Sequence, residues 1–214
     1  MNAWAWTALT LYLAWAGTAF GVRAAVQRRR TGDAGFRGAS GRPGTASWWA
    51  GVLFLTALLV GAAAPAAALA GLPGLPGTGD VTVRGAGLLL TVTGMAFTLA
   101  AQTNMGASWR VGVDAAERTT LVTGGLFAHV RNPVFTAMVC TAAGLALMVP
   151  NWIAALGLIA LVTAVQVQVR VVEEPYLSAI HPDAYGAYTA RTGRFVPGIG
   201  KRPVSPDRVT PPIG

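Results

Sequence analysis

Charge is scarce in this sequence. Only 11% of its 214 residues are Asp, Glu, Lys or Arg, where a water-soluble domain carries about 25%. That little charge cannot clothe a soluble globular surface, and a soluble fold is excluded. Cysteine is scarcer: Cys140 is the single one, so no internal disulfide can form. His129 and His181 are the only histidines. Neither shares a ligand spacing with Cys140, so no metal site is expected. Acid is short relative to base, 8 residues against 16, giving a net charge of +8. The basic residues flank apolar runs and lack interleaved aromatics. Nucleic acid is therefore not expected as a partner, and attraction to anionic lipid accounts for the excess.

What the sequence has in abundance is apolar runs, within an overall 53% hydrophobic content. Several approach the roughly 20 residues that cross a bilayer. Five spans are read: about Ala3 to Val22, Trp48 to Ala70, Gly85 to Ala101, Pro133 to Val149 and Trp152 to about Val169. The first lacks a basic leader and a small-residue cleavage site, so it is read as a retained helix. Pro65 is expected to kink the second span, and Pro133 suits the first turn of the fourth. The arginine-rich stretch QRRRTGDAGFRGASGRPGTAS reads as a mobile loop, GLPGLPGTGD as a Pro/Gly turn and Pro150-Asn151 as a tight reversal.

The expected fold is all-α: a polytopic membrane helix bundle of about five transmembrane helices with a cytoplasmic C-terminal segment. Residues 1–101 would be three N-terminal helices with a basic loop, 102–197 a core, and 198–214 a disordered tail. Nearly all Arg and Lys outside the spans fall on one side of this arrangement. The positive-inside rule then puts the N-terminus outside and the C-terminus in the cytoplasm. The Ala/Gly/Arg-rich composition suggests a bacterial plasma membrane.

Two polar stretches at helix mouths stand out, HVRNPVF (His129–Phe135) and VRVVEEPYL (Val169–Leu177). The reversal at Pro150-Asn151 makes the fourth and fifth spans antiparallel neighbours, so Arg131 and Glu173 should meet at one depth. Glu173 and Glu174 point about 100° apart on a helix and should do different work. Arg170 can reach either one at i+3 or i+4. Facing ionisable groups at membrane depth mark a site. Carboxylate, guanidinium, amide and aromatic groups together suit a zwitterionic, adenine-bearing ligand.

The runs LVTGGLFAHVRNPVFTAM and RVVEEPYLSAIHPDAYGAYTARTGRFVPG resemble the isoprenylcysteine carboxyl methyltransferase and phospholipid methyltransferase superfamily over about Met105 to Pro197. The resemblance implies an S-adenosylmethionine site on the cytosolic side and a lipophilic small-molecule or lipid acceptor. Matching cofactor positions are Thr119, Thr120, Leu121, Val122, Phe127, Asn132, Pro133, Val134, Phe135 and Glu173, with Arg131 and Glu174 bracing them. Leu121, Val122 and Phe127 would enclose the adenosine, and Glu173 would take the amino group. Tyr185, Tyr188 and Arg194 would close the pocket, the last two also contacting substrate. Arg170 stands one position beyond a substrate-facing family arginine, and Glu174 is the nearest proton acceptor should the nucleophile need one; these two are the catalytic candidates. Asn132, Phe135 and Ala137 replace a family His, Tyr and Gly. The acceptor stays open among lipid amine, lipid carboxylate, thiol, quinol and isoprenoid. Two other readings of the residues also stay open, an NADPH-dependent membrane reductase and a non-catalytic scaffold or transporter.

Overall fold

The computed structural model describes residues 2–35, 42–109 and 120–202. The chain is an all-α membrane bundle. Four helical stretches are long and apolar enough to cross a membrane: Asn2–Thr31, Ala46–Leu69, Val81–Met105 and Trp152–Ile180. A shorter apolar helix, Pro133–Met148, lies between the last two.

The first stretch is α1 (Asn2–Ala16), a π-helical turn (Gly17–Val22) and α2 (Arg23–Thr31). The arginine-rich sequence expected as loop thus begins as helix. Arg28, Arg29 and Arg30 fill the last turn of α2, where cations favour the negative end of the helix dipole. Gly32, at φ 81°, ends the helix in a left-handed cap. The second helix, α3 (Ala46–Leu69), carries Pro65 within it and continues four residues beyond.

The third, α4 (Val81–Met105), starts earlier and ends later than its apolar run. Asp80 caps it, accepting from the backbone N–H of Thr82 at 2.6 Å. α5 is Pro133–Met148 and α6 is Trp152–Val167. Asn151 caps α6 through Ala154 N–H at 2.9 Å and donates to the Ala64 carbonyl of α3 at 3.0 Å. α6 does not end at Val169. A second π-helical turn (Gln168–Glu173) leads into α7 (Glu174–Ile180), and α8 (Pro182–Arg191) follows.

Small residues set the packing. α4 and α5 meet through Gly87, Thr91, Gly94 and Thr98 on one side and Ala137, Thr141 and Gly144 on the other. A Cβ on Gly94 would fall 2.5 Å from Thr141 Oγ1. Close backbone approach replaces the hydrophobic driving force that lipid cannot supply between helices. The buried threonine hydroxyls donate to carbonyls four residues back, which leaves none unpaired in the apolar layer. α3 packs on α6 by the same means at Gly61 and Gly157. Arg23 ties the first helix to the end of α4, donating to Gly106 O at 2.6 Å and stacking over Trp109.

Of the tail expected to be disordered from 198 onward, the described residues, through Arg202, are held by contacts with the bundle. The Gly200 carbonyl accepts from Arg131 and the Arg202 guanidinium pairs with Glu174, so these residues are anchored by buried charge.

Candidate functional site

The mouth of α5 is built by pairing with a distant strand-like stretch. Arg131 N–H donates to Gly193 O at 2.8 Å and Asn132 N–H to Arg194 O at 3.2 Å. The Asn132 amide donates to that same Arg194 carbonyl at 3.0 Å, and Thr136 Oγ1 to Phe195 O at 2.9 Å. The chain after α8 therefore returns along the start of α5. Tyr188, on α8, fixes the short helical turn Gly125–Ala128 by donating to Phe127 O at 2.6 Å. Burial pushes the Tyr188 hydroxyl up to about 12, so it stays a donor. Gly125, at φ 58°, begins that turn and has no room for a Cβ beside Asn104.

Beneath this lid, one carboxylate gathers three cations. Glu174 Oε1 accepts from Arg131 at 3.0 Å and from Arg194 Nε at 2.7 Å. Its Oε2 accepts from Arg194 Nη2 at 2.9 Å and from Arg202. The Arg131 and Glu174 side chains are each 2% exposed. Arg131 also donates to the carbonyls of Thr189, Thr192 and Gly200. A buried pair so completely bonded is a framework, because removing either partner strands the other in low dielectric. The Glu174 oxygens are occupied, so the expected role as proton acceptor does not suit them. Arg131 was expected near Glu173; its ion pair is with Glu174, the residue expected to brace the pocket with it, and Arg131 and Glu173 line one cavity.

The π turn separates the two glutamates. Gln168 Nε2 donates to Glu173 Oε1 at 3.0 Å across five positions. In an α-helix those positions lie about 140° apart, whereas the wider π turn brings i and i+5 together. Arg170 is correspondingly turned outward. It is exposed and donates to Gln166 Oε1 at 2.7 Å, and it reaches neither glutamate.

Glu173 and Glu174 border a cavity of about 240 Å³. Of the residues singled out in the sequence, Thr120, Leu121, Val122, Phe127, Arg131, Asn132, Val134, Phe135, Tyr185 and Tyr188 line it too. Pro133, Arg194 and Arg170 do not. Pro133 starts the helix, Arg194 holds Glu174, and Arg170 faces outward. Thr119 lies outside the described residues. Sequence reasoning missed the part of the lining made by Phe20, Ser47, Ala50, Gly51 and Phe54 from the first two long helices, with Met138, Ala164 and Val165. It also missed Gln102 and Gln168. Their signal was an amide at the end of an otherwise apolar run.

Residues 83–184 match the phospholipid methyltransferase family. That stretch, just under half of the chain, is similar to the family, and the match supports a membrane methyltransferase in general. The family match runs from the first turn of α4 into α8. It includes both glutamates and Arg131, and leaves the wall from Phe20 and Ser47–Phe54 outside. No curated protein and no solved structure matches the chain.

Proposed function

We propose that this chain moves a methyl group from S-adenosylmethionine to a lipophilic or amphiphilic acceptor. The observation that carries the reading is Glu173, a carboxylate on the cavity wall that accepts from one neutral amide, that of Gln168. Such a group suits an ammonium. A matching feature for a carboxylate borders the same cavity. Arg131 Nε is buried without a partner, and the first turn of α5, at Val134 and Phe135, has backbone N–H groups with no intrahelical acceptor. Leu121, Val122 and Phe127 offer apolar surface for an adenosine. The donor set therefore fits the cofactor at each of its three recognition points.

The cofactor would supply a methyl already activated on a sulfonium. The protein's own task is then alignment and exclusion of water, which can lower a barrier by several kcal/mol. Glu173 and Arg131 fix the amino-acid end, and the Arg131–Glu174–Arg194 cluster keeps the lid shut above it. Arg170, expected to contact substrate, faces away and is given no role. The cytoplasmic placement of this lid and an external N-terminus follow from the distribution of arginines.

Titration calorimetry of the purified chain with S-adenosylhomocysteine tests the reading. Wild type should bind it and not NADPH. Glu173→Gln should weaken binding about 10- to 100-fold, the cost of losing a charge-assisted hydrogen bond. Failure of wild type to bind S-adenosylhomocysteine would remove the proposal.

A further inference from the structure

We infer that Gln102 selects the methyl acceptor by taking a hydrogen bond from an N–H or O–H group that the acceptor carries. This rests on the methyltransferase reading above and narrows it. The cavity has two kinds of wall. The wall holding Glu173 and Arg131 has groups for a zwitterion. Much of the remaining lining is apolar, with Phe20, Ala50, Phe54, Met138 and Val165, and Gln102, bonded to the residue before Phe20, borders the cavity too.

The amide of Gln102 is fixed. It is 2% exposed, and its Nε2 donates to Ala19 O, inside the first π turn, at 3.0 Å. A carbonyl only accepts, so the NH2 must lie on that side and the orientation is set by chemistry. Gln102 Oε1 is left buried with no partner. Only two cavity-lining residues have such an orphan atom among the described ones, Arg131 Nε and Gln102 Oε1. The first is a donor awaiting an acceptor, as a cofactor carboxylate provides. The second is an acceptor awaiting a donor.

A buried acceptor without a partner calls for a donor from whatever fills the space. An alcohol, a phenol, an amide N–H or an amine N–H meets it. An ionised carboxylate, a thiolate or an ether sets a second acceptor or nothing against it. Adenine also carries an amino group. However, the residues suited to adenosine, Leu121, Val122 and Phe127, lie within the family match, while Gln102 is held by Ala19, next to Phe20 on the first helix, which lies outside it. The inference concerns recognition only, so the hydrogen-bonded atom need not be the nucleophile.

The test is a matched pair of probes, 1-dodecanol and its methyl ether, which differ in one donor. Both are offered at equal mole fraction to the full chain in phosphatidylcholine nanodiscs with saturating S-adenosylhomocysteine, and occupancy is read by native mass spectrometry. Wild type should favour the alcohol about fivefold. Gln102→Met should bring that preference to about one, and so should Gln102→Leu, which likewise has no acceptor there. Affinity for S-adenosylhomocysteine should stay within about twofold in both variants. Equal binding of the two probes by wild type, or a preference that survives in Gln102→Met, overturns the inference. So does a large loss of S-adenosylhomocysteine affinity in Gln102→Met, which would turn the amide toward the cofactor. If Gln102→Met does not fold, the wild-type ratio and Gln102→Leu decide. If wild type binds no S-adenosylhomocysteine yet shows the preference and loses it in Gln102→Met, the methyltransferase reading falls and the donor-reading role of Gln102 stands.

Discussion

Glu173 and Glu174 are adjacent in the chain and have opposite fates. Glu174 accepts from three guanidiniums, while Glu173 keeps one amide partner and a cavity. Glu174→Gln should therefore destabilise the folded protein by about 3–5 kcal/mol, because Arg131 loses its buried counter-charge. A melting curve should show the drop in Glu174→Gln and little change in Glu173→Gln. Tyr188→Phe removes the donor to a buried carbonyl and should cost about 1 kcal/mol. The Tyr188 hydroxyl rises from about 10 when unfolded to about 12 when folded. Its contribution is thus complete below the lower value and fades as pH climbs toward the higher one. Melting temperatures of wild type and Tyr188→Phe should converge over that interval. The chemistry of both stretches was legible from residue types, since HVRN and EE are out of place beside apolar runs. Which glutamate does what was not legible from residue types, and only the family resemblance divided their roles. Nothing in QVRVVE announces a π turn, and an α-helical register lets Arg170 reach a glutamate, whereas here it donates to Gln166.

At the level of helices, the α4–α5 seam is the tightest joint. Gly94→Leu would drive a side chain into Thr141 and the backbone of α5. Overpacking of this kind costs about 1–3 kcal/mol and more where backbone must move, so lower yield of folded protein in detergent, read by size exclusion, is expected. Since Ala137 and Thr141 lie on the same helix as Val134 and Phe135, S-adenosylhomocysteine affinity should fall with it. The existence and order of the helices could be read from apolar run lengths. Their ends could not, because Arg23 to Arg30 and Gln102 to Met105 are polar yet helical. A helix leaving the bilayer keeps its backbone hydrogen bonds, and hydropathy reports only where lipid stops.

Across the whole molecule, the charge pattern predicts sidedness. With Cys140 replaced by Ala, a cysteine at Gly77 should react with a membrane-impermeant maleimide in right-side-out vesicles. A cysteine at Lys201 should react only in inverted ones. The reverse pattern would invert the assignment of the C-terminus to the cytoplasm.

The bracing carboxylate has a bearing on biosynthesis. Arg131 and Glu174 leave the ribosome well before Arg194 and Arg202 do, and the carbonyls that hold Arg131 come from residues 189, 192 and 200. A nascent chain with every apolar segment already threaded into lipid still has an unfinished roof. Competence to bind a nucleotide should thus arrive abruptly, with the final ten or so described residues, and partly translated copies should sit in the bilayer inert.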